Sequence, residues 1–343
     1  MDLIIGSHVS FTNKEQLLGS VKEAISYGAN TFMFYTGSTQ STSRGVLNDD
    51  LTYQAYSLMV ENNINSENVI VHAPYIINLA NRADEDKYMF YVNFFAEELD
   101  RVKKLGFNKI VLHPGSAVNC TREDGLKNII NGLNLVFEKT SDTIVLLETM
   151  AGKGNELGIN ISEIKTILEG IKDQSRIGVC LDTCHLNDSG IDINEFDKYL
   201  EDFDKEIGID KIKCVHVNDS MNIINSHKDR HQNIGYGTIG FDALNKVVHN
   251  RKLSNIPFIL ETPWVNRNSN DEYPPYKFEI DNFVNENKSF YFEVSAKNNE
   301  GLNEAFTFLS NEIVKNKNKD EIYHFYSHNN TILGKGNNKK CCF

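Results

Sequence analysis

Short apolar segments alternate with amphipathic stretches along most of the chain. Each apolar segment spans four or five nearly uninterrupted positions, which is typical of parallel strands buried on both faces. Eight segments are therefore predicted as strands: Leu3–Ser7, Thr31–Tyr35, Asn68–Val71, Lys109–Leu112, Thr143–Leu147, Ile177–Leu181, Ile212–Val215 and Pro257–Leu260.

The stretches between these strands have helical spacing and clear ends. In the first, one face carries Leu17, Leu18, Val21, Ala24 and Ile25, and Gly28 follows as a C-terminal cap. Another predicted helix runs from about Glu85 to Leu105 and ends at Gly106. Eight strands alternating with helices over roughly 285 residues predict an α/β fold, a (β/α)8 TIM barrel. A doubly wound open sheet is the structural alternative.

Composition narrows the classes of protein that this chain can be. Its 343 residues are 40% hydrophobic and 24% charged, as in globular proteins, and no apolar run reaches the roughly 18 residues of a membrane span. The start of the chain also lacks the basic and apolar regions of a secretion signal. A net charge of −12 excludes a nucleic-acid binder with a basic surface throughout, so a DNA partner would require a local positive site.

Six cysteines are too few for a disulfide framework and favour a reducing compartment, either the nucleus or the cytoplasm. They are Cys120, Cys180, Cys184, Cys214, Cys341 and Cys342.

A potential metal ligand closes each of six consecutive predicted strands, from the third to the eighth. These residues are His72, His113, Glu148, Asp182, His216 and Glu261. In a barrel, the carboxyl ends of all strands meet at one mouth, where the active sites of this fold lie. His185, Asp229 and His231 are three further candidates, which brings the set to nine.

Five imidazoles and four carboxylates without a thiolate suit Zn²⁺, with Mn²⁺ or Fe²⁺ as replacements. Nine donors exceed the needs of one ion, and bridging carboxylates would allow three. Three divalent ions against four carboxylates leave a charge of +2, which favours phosphodiester chemistry. A sugar isomerase or epimerase of the same barrel type, with fewer ions, is the first alternative. A membrane-tethered, non-catalytic adaptor is the second.

Several motifs occur in an order and at a spacing that are highly specific. They are GSHVS (6–10), VHAPYIINLA (71–80), LHPGS (112–116), LETMAGKG (147–154), CLDTCH (180–185), VHVNDS (215–220), DRHQNIGYGTIG (229–240) and LETP (260–263). Together they resemble the endonuclease IV family of abasic-site (AP) endonucleases over about residues 3–285.

The resemblance implies three zinc ions per chain. The first would be held by His72 and His113 and bridged through Glu148 to the second, which Asp182, His216 and Glu261 complete. The third would be held by His185, Asp229 and His231.

The implied reaction is hydrolysis of double-stranded DNA on the 5′ side of an abasic site, leaving a 3′-hydroxyl, in base-excision repair. A hydroxide between the first two ions would be the nucleophile, oriented by Glu148 as the catalytic residue. We expect a monomer without a nucleotide cofactor.

The resemblance also implies residues that recognise the lesion, but fewer of them than metal ligands. In the family, a Tyr-aliphatic pair fills the gap at the lesion, and here that pair is Tyr75 and Ile76. The family's intercalating Arg lies in an Asn-rich, Trp-containing segment that this chain lacks, so Gln40 or Arg44 is the candidate replacement.

The sequence does not assign a single role to two features near the predicted mouth, His8 and a glycine-rich loop. His8 ends the first strand outside the ligand set, with a hydrogen bond to a ligand or a structural role as the alternatives. Gly235, Gly237 and Gly240 resemble a phosphate cradle but are not followed by Gly-Lys-Ser/Thr. They predict a tight loop that places His231.

A second region is predicted at 288–343, after a barrel domain at 1–287. Its first part, Phe290 to Val314, resembles the last strand, Ser-Ala-Lys loop and last helix of a Rab-type small GTPase, followed by a flexible tail. No phosphate loop or Asn-Lys-x-Asp motif accompanies it, so we expect no GTP binding. Cys341 and Cys342 do not fit the CaaX rule, so a gene fusion or a remnant strand and helix packed on the barrel is favoured; prenylation of both cysteines, the alternative, would attach the protein to a membrane.

Overall fold

A computed structural model of the chain describes residues 3–269 and 271–285, together with positions 306, 307 and 310. Eight parallel strands close into a barrel in the order Ile5–His8, Phe258–Leu260, Ile212–His216, Ile177–Asp182, Ile144–Glu148, Lys109–Leu112, Ile70–His72 and Thr31–Phe34. The first and last strands pair, with Ile5 opposite Phe258 and Ser7 opposite Leu260. The predicted TIM barrel is therefore confirmed, and the open-sheet alternative is wrong because an open sheet leaves two unpaired edges.

The strands within the described residues are β1 (Ile5–His8), β2 (Thr31–Phe34), β3 (Ile70–His72), β4 (Lys109–Leu112), β5 (Ile144–Glu148), β6 (Ile177–Asp182), β7 (Ile212–His216), β8 (Asp219–Ser220), β9 (His231–Gln232) and β10 (Phe258–Leu260). The helices are α1 (Gln16–Ser26), α2 (Asp49–Glu61), α3 (Glu85–Lys104), α4 (Arg122–Lys139), α5 (Ile161–Gly170), α6 (Thr183–Ser189), α7 (Phe196–Glu206), α8 (Phe241–Val248) and α9 (Tyr276–Val284).

The eight barrel strands lie where the apolar segments predict them, with ends that differ by two residues or fewer. The helix ends also follow local chemistry. Asp84 caps α3 by accepting the main-chain N–H of Lys87, and Gly28 and Gly106 follow their helices with φ of +73° and +84°. The antiparallel ribbon of β8 and β9 was not predicted, because two-residue strands carry no periodic signal.

Successive side chains along each strand point to opposite faces of the barrel wall, and apolar residues on both faces create two apolar layers. One layer fills the space between the barrel and its helices and includes Phe32, Phe34 and Leu147. The other fills the barrel interior with one side chain from each of seven strands: Met33, Ile70, Val111, Leu146, Cys180, Cys214 and Ile259. This interior plug gives the mouth a solid floor, so the strand ends project their side chains upward from a rigid base.

The chain divides into two units, Met1–Lys288 and Ser289–Phe343. The predicted strand at Phe290–Val294 and the tail with Cys341 and Cys342 lie outside the described residues. Of the predicted C-terminal helix, only 306, 307 and 310 are described, and all three are helical. No helix in the described ranges combines the length and apolar character needed to cross a membrane.

Candidate metal centre

The nine predicted ligands come together at the carboxyl end of the barrel. Four are the last residues of their strands, namely His72 of β3, Glu148 of β5, Asp182 of β6 and His216 of β7. His113 and Glu261 directly follow β4 and β10. The parallel register aligns these strand ends, as in the pairing of Asp182 with His216.

Glu148 lies at the centre of the cluster and is almost fully buried. Its Oε2 lies 3.2 Å from Nε2 of His72 and 3.1 Å from Nε2 of His113. Its Oε1 lies 3.1 Å from Nδ1 of His216 and 3.3 Å from Nδ1 of His185. Each oxygen of this carboxylate therefore faces a different pair of imidazoles.

Glu261 and Asp182 extend the cluster on the other side of His216. Oε2 of Glu261 is 3.1 Å from Nδ1 of His216, and Oδ2 of Asp182 is 3.9 Å from the same nitrogen. Oδ1 of Asp182 caps α6 by accepting the main-chain N–H of His185 at 2.7 Å. This cap starts the helix at the strand end and so places His185 above the mouth.

His185, Asp229 and His231 form the third part of the cluster. Nε2 of His185 is 3.1 Å from Oδ1 of Asp229, and Nε2 of His231 is 3.6 Å from the same oxygen. Nε2 of His231 also lies 3.8 Å from Oδ2 of Asp182. The three parts are thus continuous, since Asp182 and Glu148 contact members of more than one.

Three of the imidazoles have a tautomer fixed by the main chain. Nδ1 of His72 donates to the carbonyl of Ala73 at 2.7 Å, Nδ1 of His185 to that of Thr149 at 2.8 Å, and Nδ1 of His231 to that of Glu261 at 3.2 Å. A neutral imidazole with a proton on Nδ1 presents a bare lone pair at Nε2. In all three residues that lone pair faces carboxylate oxygens.

Lone pairs that face each other are unfavourable unless a cation lies between them. Nε2 of His231 is buried and has no hydrogen-bond partner within the described residues. Buried polar atoms are rarely left without a partner, so this nitrogen is suited to bind a cation. The cluster contains imidazole and carboxylate donors of the kinds that divalent zinc prefers, and the residues therefore fit a metal centre.

The pKa shifts of the clustered residues also support a metal centre. Burial alone would raise the pKa of Glu148, but His216 and His113 outweigh it and hold that pKa well below the usual range. Burial would lower the pKa of His185, but Asp182 and Asp229 raise it well above the ordinary value. A divalent cation between these groups would replace the proton that the raised pKa holds on His185 and would leave its imidazole neutral, as a metal ligand must be. Divalent cations would also compensate the charge of the carboxylates.

Several supporting residues were not identified from the sequence. Asn218 donates its Nδ2–H to Oδ2 of Asp182 at 2.7 Å and accepts the main-chain N–H of Glu261 at 2.9 Å, so one amide positions two ligands. Asp188, fully buried, accepts the main-chain N–H of Asp229 at 3.0 Å. Asn218 lies within the motif VHVNDS, but its contacts join residues far apart in the sequence and are visible only in the fold.

The glycine-rich loop closes around a carboxylate of the protein. Asp219 accepts the main-chain N–H groups of Gly235, Gly237 and Ile239, each at 3.0 Å. A Cβ on Gly237 would lie 2.2 Å from Oδ1 of Asp219, so this close approach requires glycine. These amides are occupied and do not form a free phosphate cradle.

The two predicted lesion residues have different environments. Tyr75 is 53% exposed, its ring lies 5.2 Å from that of His113, and its hydroxyl accepts a hydrogen bond of 2.6 Å from Tyr35. Ile76 is half-buried and packs against the core. Tyr75 is thus available to a ligand at the metal centre, while Ile76 is partly committed to packing.

Gln40 and Arg44 lie in the segment after β2. Gln40 is exposed. Arg44 donates from Nε to Oε1 of Glu98 at 2.7 Å and from a terminal nitrogen to two main-chain carbonyls, and its guanidinium lies 5.0 Å from the centre of the Phe94 ring. In this conformation Arg44 fastens its own segment to α3, and its Nε and one terminal nitrogen are engaged in these contacts.

His8 lies outside the ligand cluster but close to it. Its ring packs edge-on against Tyr35, with the ring centres 5.2 Å apart. Burial lowers the pKa of His8 from its ordinary value. These contacts are compatible with both alternatives, support of a ligand and support of the fold.

Known proteins share both the sequence and the fold of this chain. A family model described as a xylose isomerase-like TIM barrel matches residues 21–281. A protein of Oceanobacillus iheyensis named probable endonuclease 4 is 49% identical over 278 residues, which cover 81% of this chain and 93% of the relative.

Two solved structures show the same barrel. The crystal structure of endonuclease IV from Thermus thermophilus superposes with a TM-score of 0.68 at 26% identity, covering 81% of this chain and 97% of that one. A D-tagatose 3-epimerase-like protein superposes with a TM-score of 0.59 at 21% identity, covering 82% and 96%, which shows only a shared fold. On its sequence identity to the curated relatives, the chain belongs to the endonuclease IV family of hydrolytic endonucleases.

Proposed function

We propose that this protein hydrolyses the phosphodiester on the 5′ side of an abasic site in double-stranded DNA, leaving a 3′-hydroxyl, with three zinc ions. The observation that carries the proposal is the continuous cluster of nine donors at one barrel mouth. A scattered set of the same residues would bind separate ions at best. Family membership supports the substrate class.

Four groups of donors in the described residues lie close enough to share an ion, and three of them support the proposed zinc sites; the fourth, Cys180, Cys214 and His216, includes two cysteines of the barrel interior. His72, His113 and Glu148 form one group, and Glu148, Asp182, His216 and Glu261 form a second. Asp182, His185 and His231 form the third, to which Asp229 is joined by its 3.1 Å contact with His185. Zinc ions held there would lower the pKa of water and neutralise charge on the phosphate.

Glu148 is built to serve two of these sites together. Its Oε2 faces His72 and His113, while its Oε1 faces His216. A carboxylate whose two oxygens point at neighbouring donor groups can bridge them. Burial in a crowded pocket prevents it from turning away, so it also fixes the orientation of whatever binds between the groups.

Tyr75 supplies an aromatic surface at the rim of the same mouth. Its exposed ring lies beside His113, and its hydroxyl is held by Tyr35. A rigidly held, exposed ring is suited to fill the gap left by a missing base. We propose this role for Tyr75, with Ile76 as its partly buried neighbour.

Incision of a duplex that contains one tetrahydrofuran residue, a stable abasic analogue, tests this function. We expect a single nick 5′ to the analogue, with the upstream fragment extendable by a DNA polymerase because it ends in a 3′-hydroxyl. An intact duplex, or a fragment that cannot be extended, would contradict the proposal.

A sugar isomerase or epimerase remains the rival activity, because such proteins share this barrel. The cluster of His185, Asp229 and His231 favours the nuclease, since an enzyme with one or two ions has no use for three extra donors. Turnover of ketoses by the same preparation, without nicking of the abasic duplex, would support the rival.

We also propose that the protein works in a reducing compartment, the nucleus or the cytoplasm. Cys120, Cys180, Cys184 and Cys214, the cysteines in the described part, are free thiols, in keeping with a reducing compartment. Prenylation of Cys341 and Cys342 would add isoprenoid mass to the protein made in eukaryotic cells. Intact-mass measurement distinguishes the modified form from the unmodified one.

A further inference from the structure

A cavity of about 390 Å³ lies beside the metal centre, outside the ligand cluster. Glu261 and His8 line it on the side of the cluster, and Trp264, Arg267 and Tyr276 are among its other lining residues. Glu261 is shared by the cavity and the centre. A molecule held in the cavity would therefore lie directly next to a molecule held by the metals.

The residues around Trp264 form a hairpin that main-chain hydrogen bonds hold together. Val265 and Tyr273 exchange main-chain hydrogen bonds of 2.9 and 3.2 Å, which fold the segment after β10 back on itself. The hydroxyl of Tyr276 donates to the carbonyl of Thr262 at 3.0 Å and ties the base of this segment to α9. The indole is thus presented from a braced hairpin.

Trp264 is the only tryptophan in the sequence, and it is 41% exposed at the cavity. Large aromatic side chains are usually buried, and an exposed ring beside a polar cavity is suited to stacking on a planar ligand. Arg267, which is also exposed, adds a cation to the same cavity.

The acidic residues of the cavity are already engaged. Glu261 is turned towards His216 at 3.1 Å, and Oε2 of Glu272 accepts the main-chain N–H of Asn268 at 3.3 Å. An aromatic face with a neighbouring guanidinium is the pairing that proteins use for a nucleotide, with the base on the ring and the phosphate on the cation.

We propose that this cavity is a nucleotide subsite, in which the base of a nucleotide that flanks the abasic site stacks on Trp264 and its phosphate contacts Arg267. The inference rests on the proposed function, because it requires DNA at the metal centre. It adds a contact to an intact base next to the lesion.

Because the chain has a single tryptophan, fluorescence excited at a wavelength that its 14 tyrosines do not absorb comes from Trp264 alone. Abasic duplex is mixed with the wild-type protein in a stopped-flow instrument, and binding is followed in parallel by the anisotropy of a label on the DNA. We expect the Trp264 emission to fall on binding, with the same concentration dependence as the anisotropy. Unchanged emission while the anisotropy reports binding would overturn the subsite.

Variants supply the second readout. Trp264→Ala removes the stacking surface and is expected to raise KM for the abasic duplex roughly tenfold, with a smaller fall in kcat, whereas Trp264→Phe restores most of the loss. Tyr53→Ala, at a large exposed ring on α2, is the control and should leave KM unchanged. A wild-type KM for Trp264→Ala would also overturn the subsite.

The two proposals fail in different ways. Absence of nicking by the wild-type protein contradicts the nuclease. Nicking by the wild-type protein, together with unchanged emission and a Trp264→Ala variant of normal KM, contradicts the subsite only.

Discussion

Arg44 and Glu98 form a buried ion pair that fastens the segment after β2 to α3. Nε of Arg44 lies 2.7 Å from Oε1 of Glu98, whose side chain is 1% exposed. Oε2 of the same carboxylate accepts the hydroxyl of Thr36 at 2.8 Å. A single carboxylate therefore holds both ends of the segment 36–44, which carries the exposed Gln40.

Replacing Glu98 by Gln should loosen this segment without removing any group from the metal centre. The amide can still bond to both partners but leaves the Arg44 charge uncompensated, so we expect the free energy of unfolding to fall by about 1.5–3 kcal/mol. If the segment contacts DNA, KM for an abasic duplex should rise more than kcat falls. Urea unfolding and steady-state kinetics measure the two effects.

Glu138→Gln is a matched control, because the pair of Glu138 with Lys172 is exposed on both sides. We expect no measurable change in its stability or kinetics. An unchanged KM in a destabilised Glu98→Gln protein would show that the segment 36–44 does not contact the substrate.

Replacing Glu148 by Gln should keep the fold and remove most of the activity. The amide has the shape of the carboxylate but lacks its negative charge, so it would bind the ions of the two neighbouring donor groups more weakly. Because even residues that only orient a ligand cost roughly 10- to 100-fold when lost, we expect kcat to fall by more than about 100-fold. Circular dichroism checks the fold, and a variant that retains wild-type kcat would exclude Glu148 as the central ligand.

Asn218→Ala should weaken metal binding although Asn218 is not a ligand. The change removes the donor to Asp182 and the acceptor for the main chain at Glu261, so both ligands lose an orienting contact. We expect zinc affinity to fall roughly 10- to 100-fold in chelator competition.

Asn134→Ala controls for the loss of an amide that makes two main-chain hydrogen bonds away from the mouth, to Gly170 and Lys172. It should lower stability but leave zinc affinity unchanged. Equal zinc affinities in the two variants would contradict the role given to Asn218.

Glu279 should make stability depend on pH. Burial raises the pKa of this carboxyl from 4.5 to about 7, although Thr262 and the main-chain N–H of Ile234 bond to it. Between these values the native state keeps a proton that the unfolded chain releases. The contribution to stability is therefore complete below about pH 4.5 and is lost as the pH rises through 7.

Glu279→Gln stays neutral and lacks this loss. From pH 5 to pH 8, wild-type stability should fall relative to that of the variant by about 2–3 kcal/mol in urea unfolding. Glu138→Gln should show no such trend relative to wild type. A difference between Glu279→Gln and wild type that does not change with pH would mean that Glu279 is ionised throughout this range.

The barrel was predictable because its signal is local and repeated. Strands buried on both faces leave continuous apolar runs, and a ligand at the end of each run needs no knowledge of distant contacts. Strand ends in a barrel always share one mouth. The convergence of His72, Glu148 and His216 therefore follows from the topology.

The supporting contacts were not predictable from the pattern. Asn218 and Asp188 act through side-chain hydrogen bonds to residues far along the chain, and such contacts leave no periodicity. The DNA contact by Arg44 stays a prediction, but its ion pair with Glu98, 54 residues away, could not be read from the sequence. The place of Trp264 beside the mouth was not predictable, because exposure of a side chain cannot be read from the sequence.

The central claim is that nine side chains at one barrel mouth hold three zinc ions. Its most direct test is the metal content of the purified full-length protein, measured by inductively coupled plasma mass spectrometry against an accurate protein concentration. We expect close to three zinc ions per chain, with partial replacement by manganese or iron. A content of one ion per chain or fewer, in protein that nicks the abasic duplex, would contradict the trinuclear centre.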